Sequence, residues 1–114
     1  MKKKVTNNFQ VAVVRCLNRN NIFHFAIPKC GFNDNVPVDF FSKSMGYVKG
    51  APDIVVLLNG KCIFIELING YNGYQTIEQK KFQNTVEQLG FEYLLWGEII
   101  DCELFVKKYN GVVK

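Results

Sequence analysis

Residues 53–67, DIVVLLNGKCIFIEL, constrain the architecture of this chain more than any other stretch. Two apolar runs of strand length are separated by Asn59-Gly60 alone. Asn-Gly is the preferred pair for a type I′ turn, because both central positions take positive φ. The stretch therefore predicts an antiparallel hairpin with a two-residue loop, and the loop sets the register. Leu58 faces Lys61, Val55 faces Phe64, and Asp53 faces Glu66. Residues directly opposite share a face, with Cβ atoms roughly 4.5–5.5 Å apart.

Two carboxylates thus meet at the open end of the hairpin. Like charges directly opposite destabilise a sheet, and here the same face carries Val55, Leu57, Cys62 and Phe64, which limit water. One acid can hold a proton. A hard cation such as Mg²⁺ can sit between them. Alternatively both acids lie at frayed strand ends and point into solvent. Spacing alone leaves these three readings open.

The rest of the chain supplies the layers. Asn7 to Asn18 has Phe9, Val13, Cys16 and Leu17 at helical spacing, with Asn7 and Gln10 placed as a capping box. NIFHFAIP reads as a strand ended by Pro28. Lys29 to Gly50 is a long loop, with a short helix expected near DFFSKSMG. NGYNGYQ is a second loop. Thr76 to Leu89 is a helix with a Thr76–Gln79 capping box, an apolar face of Phe82, Val86 and Leu89, and Gly90 at its C-terminal end. FEYLLW is a strand, and Glu98 to about Tyr109 a final helix. This order predicts an α/β fold, a small mixed β-sheet flanked by helices, in a single domain over 1–114 with a basic N-terminal tail over about 1–6.

At 114 residues and 48% hydrophobic content, the chain can bury one core. No apolar run reaches bilayer-spanning length and none of signal-peptide length follows MKKKVTNN, so a soluble intracellular protein without membrane contact is expected. The four cysteines form no CxxC and His24 is the sole histidine, which argues against a structural zinc site and for free thiols. His24 alternates with Ile22 and Ala26 on one strand face and reads as structural. Phe32, Tyr71 and Tyr74 read as packing at the core edge before base stacking. The net charge of +4 is compatible with a polyanionic partner, although terminal lysines carry much of it.

The residues GYVKGAPDIVVLLNGKCIFIELINGYNGYQTIEQKKF resemble the VRR-NUC domain, a branch of the PD-(D/E)xK nuclease superfamily, in the order G-x-PD, apolar strand, turn, IE strand and Gln-containing helix start. VVRCLNRNNIFHFAIP and LGFEYLLWGE extend the similarity over about residues 7 to 109. The resemblance implies a restriction-endonuclease-like core and Mg²⁺- or Mn²⁺-dependent hydrolysis of DNA phosphodiesters. It also implies structure-selective action on branched or Holliday-junction DNA, a homodimer, and a viral or phage origin with a cytoplasmic or nuclear location. Carried over by position, Asp53, Glu66 and the carbonyl of Leu67 would hold the metal, and Gln79 would lie beside them, where its capping role explains it equally well.

The chain departs from the family pattern at Ile68, which stands where the motif has lysine. Residues two apart share a strand face, so that lysine would sit beside Glu66, where an ammonium stabilises charge developing on phosphate. Isoleucine cannot. In the first helix, Thr6, Asn7 and Asn8 occupy the zone of a family glutamate, and the family's Pro-Asn is Pro28-Lys29. Three explanations compete. The lysine has moved, with Lys29 first and Lys49 and Lys80 as further candidates. The chain is a degenerate nuclease that binds nucleic acid, or a protein partner, without cutting. Or Ile68 is an engineered substitution. In either of the first two, Lys29, Lys43, Lys49, Lys61 and Lys80 are the expected phosphate contacts.

Overall fold

The computed structural model describes residues 2–28, 44–68 and 74–113. The expected short helix near DFFSKSMG falls largely outside them. So do Lys29, Cys30, Phe32, Lys43 and Tyr71.

Helix α1 spans Lys2–Arg19. It starts earlier than the capping pattern predicts, so Asn7 is helix interior and the basic stretch is not a separate tail. Nothing in KKKVTNN breaks a helix, and lysine propagates one well. Its C-terminal end is sharply defined. Asn21 takes the left-handed conformation (φ 57). The Asn21 N–H donates to the Asn18 carbonyl at 3.1 Å and the Ile22 N–H to the Leu17 carbonyl at 3.0 Å. This is a Schellman end with asparagine in glycine's usual place.

Strand β1, His24–Ala26, pairs antiparallel with β2, Ile54–Leu58. It is shorter than the expected strand, but the Leu57 N–H to Phe23 carbonyl and Ile27 N–H to Asp53 carbonyl bonds carry the ladder one residue further at each end. Strand β3, Lys61–Leu67, pairs with β2 in the register that Asn59-Gly60 predicts, from Leu58↔Lys61 to Ile54↔Ile65. Asn59 and Gly60 have φ of 44 and 81, as a type I′ turn requires.

Helix α2, Ile77–Gln88, carries the full Thr76–Gln79 capping box. It ends like α1: Gly90 has φ 91 and the Phe91 N–H reaches the Val86 carbonyl at 2.9 Å. Strand β4, Glu92–Trp96, pairs parallel with β3. Helix α3, Ile99–Val113, runs past the expected end near Tyr109. Asp101 Oδ2 accepts the Gly97 and Glu98 N–H groups at 2.8 and 3.1 Å and organises its start.

The sheet order is β1-β2-β3-β4. One face presents Ile54, Val56, Leu58, Ile63, Ile65 and Leu67 to α1 and α3, where Val13, Leu17, Cys102 and Phe105 complete the core. On the other face Phe64 meets Phe82 of α2 edge-on, ring centroids 5.8 Å apart, and Phe91 at 6.1 Å. The fold is thus α/β, a mixed four-stranded sheet with helices on both faces. Among the described residues no helix is long and apolar enough to cross a membrane.

Cys16 and Cys102 are buried and Cys62 half-buried, all as free thiols. Burial, then hydrogen bonding with Cys16, pushes the Cys102 thiol up, which leaves it inert at neutral pH.

Candidate functional site

The hairpin register stays regular up to Ile54 and breaks one residue before it. In a regular antiparallel strand, the N–H and C=O of one residue point to the same neighbour. At Asp53 they part: its N–H donates to the Ile65 carbonyl at 3.1 Å on β3, and its carbonyl accepts from the Ile27 N–H at 2.9 Å on β1. Asp53 and Ile54 therefore both oppose Ile65, which is a β-bulge. Direct facing of Asp53 and Glu66 is corrected accordingly.

The bulge re-aims the aspartate rather than removing it. Asp53 Oδ2 accepts the Leu67 N–H at 2.8 Å, filling the place of a strand partner. The Ile68 N–H goes the other way, to the Trp96 carbonyl on β4 at 2.9 Å. By strand alternation the Leu67 carbonyl points with its own N–H, to the Asp53 side.

Glu66 is buried, with 4% of its surface exposed. Its Oε2 accepts a hydrogen bond from Gln79 Nε2 at 2.7 Å. The same Gln79 amide uses Oε1 to accept the Thr76 N–H at 2.8 Å, completing the helix cap. Capping and site support, which stand as alternatives in the sequence, are the two ends of one side chain.

Two residues reinforce this arrangement that the motif alone leaves without a role. Gly50 has φ 92, and a Cβ there would collide with the Glu78 carbonyl and lie 2.9 Å from Gln79 N. Only glycine lets the approach to Asp53 pass this close to the first turn of α2. Tyr93 is the second. It is 6% exposed, and its hydroxyl accepts a long 3.5 Å hydrogen bond from Gln75. Burial pushes its phenol well up, and the charges of Glu66, Asp53 and Glu87 push the same way, against the Gln75 bond. Both acids thus act on one hydroxyl. The alternation of FEYLLW could have placed Tyr93 on this face; its place within reach of the acids' charge depends on the parallel pairing of β3 with β4.

The structure brings together Asp53, Glu66, Leu67 and Gln79. Lys49 and Lys80 are exposed neighbours of Gly50 and Gln79, which flank the close contact. Lys61 lies at the turn end of β3, on the order of 17 Å along the strand from Glu66, with its Nζ 5.7 Å from the Tyr109 ring centre. Lys29 and Lys43 lie outside the described residues. Ile68 is half-buried. His24 sits on the opposite sheet face, paired with core Val56, and its Nδ1 donates to the Ile22 carbonyl at 2.8 Å. Tyr74 is 92% exposed, so it does not pack at the core edge.

Among the described residues no group of three or more His, Cys, Asp or Glu side chains could hold a metal. A hard cation needs only one or two carboxylates, a carbonyl, and oxygens from water and substrate phosphate. Asp53, Glu66 and the Leu67 carbonyl are the oxygen groups here of the kind such a cation takes.

No protein-family model matches the sequence, and no curated protein matches it. Its fold is nevertheless shared. A solved VRR_NUC domain structure, 14% identical in sequence, superposes with a TM-score of 0.66 over 92% of this chain and 97% of that one. The chain shares the fold of that VRR_NUC domain.

Proposed function

We propose that this chain is a divalent-cation-dependent nuclease acting on DNA, with Asp53, Glu66 and the Leu67 carbonyl as ligands for Mg²⁺ or Mn²⁺. The observation that carries this reading is the paired anchoring of the acids: Asp53 to the Leu67 N–H at 2.8 Å and Glu66 to Gln79 at 2.7 Å. Burying a carboxylate in an apolar layer costs stability unless a cation or a donor compensates it, and preorganising two of them at one strand end is what phosphoryl chemistry uses. The cation, when bound, supplies charge neutralisation at the phosphate.

The chain's own residues do the rest. Gln79 holds the Glu66 carboxylate in one orientation. Tyr93 keeps its proton and presents a neutral hydroxyl to a negatively charged site. Lys49 and Lys80 attract the substrate backbone, with Lys29, Lys43 and Lys61 extending the basic surface. Lys29 is the first candidate for the displaced motif lysine. Branched DNA as preferred substrate, and a homodimer to engage it, extend this reading.

One observation favours a second reading, binding without cleavage: half-buried Ile68 occupies the face position beside Glu66 that a catalytic ammonium would use. A single gel separates the two. Linear, flapped and four-way-junction DNA are incubated with Mn²⁺ and the wild-type chain, Asp53→Ala or Ile68→Lys. Cleavage by wild type that vanishes in Asp53→Ala supports the nuclease. Cleavage by Ile68→Lys alone supports the binding module. Inertness of all three, with no DNA bound, sinks both.

A further inference from the structure

The sheet face that carries Glu66 is covered unevenly. Over β3 and β4, helix α2 packs Phe82 onto Phe64, and Tyr93 is buried. Over β1 and β2 Val55 is buried, at 4%, but its neighbours on the face stand open. Register places Phe25 beside Val55 and Val55 beside Phe64, so Phe23, Phe25 and Leu57 lie on the Glu66 face. They are 65%, 47% and 41% exposed. The two phenyl rings stand side by side, centroids 6.5 Å apart and planes 57° from parallel.

We infer that Phe23 and Phe25 form a stacking platform for unpaired nucleobases of the substrate strand. This rests on the nucleic-acid reading above and deepens it, because it selects single-stranded or flapped DNA over intact duplex. Three observations carry it. Aromatics at i and i+2 on an open sheet face offer successive π-surfaces, the arrangement with which sheet proteins hold splayed bases. The platform is continuous with the candidate site: Ile27, two residues beyond Phe25, is bonded to the Asp53 carbonyl itself. Two strand spacings and two residues separate Phe25 from Glu66, on the order of 12 Å, a gap that an extended strand crosses in about two nucleotides. Finally, three apolar side chains fall far short of the roughly 20–30 residues per side of a stable protein interface, while they match the footprint of one or two bases.

The test measures anisotropy of labelled oligothymidylate and of a blunt duplex, in EDTA so that cleavage is silent. The proteins are wild type, Phe23→Ala/Phe25→Ala and Phe25→Trp. The platform predicts that the double alanine variant loses about tenfold or more in oligothymidylate affinity and little in duplex affinity. Phe25→Trp keeps its affinity, and its added emission is quenched by oligothymidylate. Thermal unfolding checks that each variant is folded, and the tryptophan variant tests stacking even if the alanine pair is not.

Unchanged oligothymidylate binding in the alanine variant, or no quenching in the tryptophan variant, overturns the platform. So does a shift from dimer to monomer on size exclusion with no change in affinity per chain, since the patch is then a contact between copies. Failure of the nuclease reading looks different: a chain that binds oligothymidylate through these rings but never cuts keeps the platform and loses the hydrolysis. A wild type that binds neither probe loses both.

Discussion

The two ends of the β2–β3 hairpin obey different rules. At the turn end Asn59 and Gly60 adopt the positive φ values their side chains favour, and the pairs from Leu58↔Lys61 onward stay in register. At the other end Asp53 breaks the ladder, sends its N–H and carbonyl to different strands, and spends its side chain on a backbone amide. The turn end is stabilised by agreement between residue type and conformation. The open end departs from regular geometry where half-buried Asp53 and buried Glu66 are anchored. The regular turn and the candidate site therefore sit at opposite ends of the same two strands.

Substitutions can break that division. The largest expected effect is on activity: Asp53→Ala should lower DNA cleavage by on the order of 10²–10³ or more, read on the gel above. Its cost in stability should be about 1–3 kcal/mol, because the Leu67 N–H loses a charged acceptor. Gly50→Ala comes next and should strike both properties. It combines a left-handed backbone with a clash against the Glu78 carbonyl, so a loss of about 2 kcal/mol or more is expected in urea unfolding, with weakened cleavage because Gln79 is displaced.

Gly60→Ala sharpens the contrast. A Cβ there meets nothing within 4 Å, so only the backbone conformation resists it, and about 1–2 kcal/mol of stability should go with no change in activity. Gln79→Glu should cost about 1 kcal/mol in the same assay. It keeps the acceptor for the Thr76 N–H but sets a second carboxylate against Glu66, so the loss should grow as pH rises through the carboxylate range.

The smallest effect concerns Tyr93. Its folded-state pKa is raised, so its contribution is intact below about pH 10 and falls above it, where the unfolded chain ionises first. In unfolding followed against pH, Tyr93→Phe should flatten that alkaline decline.

What could be read in advance follows the same division. Asn59-Gly60, the Thr76–Gln79 box and Gly90 are short-range signals, and the structure keeps each of them. The bulge at Asp53 could not be read, because it depends on which strands compete for one residue's N–H and carbonyl. The start of α1 was misplaced because Asn7 is as able to cap as to sit within a helix, and only tertiary context decides. Gly50 appears in the sequence as punctuation, while its reason, the passage of α2 beside it, lies 28 residues downstream at Glu78. The fold was legible through the resemblance carried by G-x-PD and IE, and the solved VRR_NUC domain shares it at 14% identity.

The Gln79 amide that joins helix cap to Glu66 has one more consequence. Contacts between lysines and a phosphate backbone weaken steeply as ionic strength rises, and exposed ion pairs are screened within about 10 Å at 0.1 M. An uncharged amide on a buried carboxylate is nearly indifferent to both. On the proposed function, rising salt should strip DNA from this protein long before it disturbs the orientation of Glu66. The proposed hold on DNA and the assembly of the candidate site would then be tuned independently.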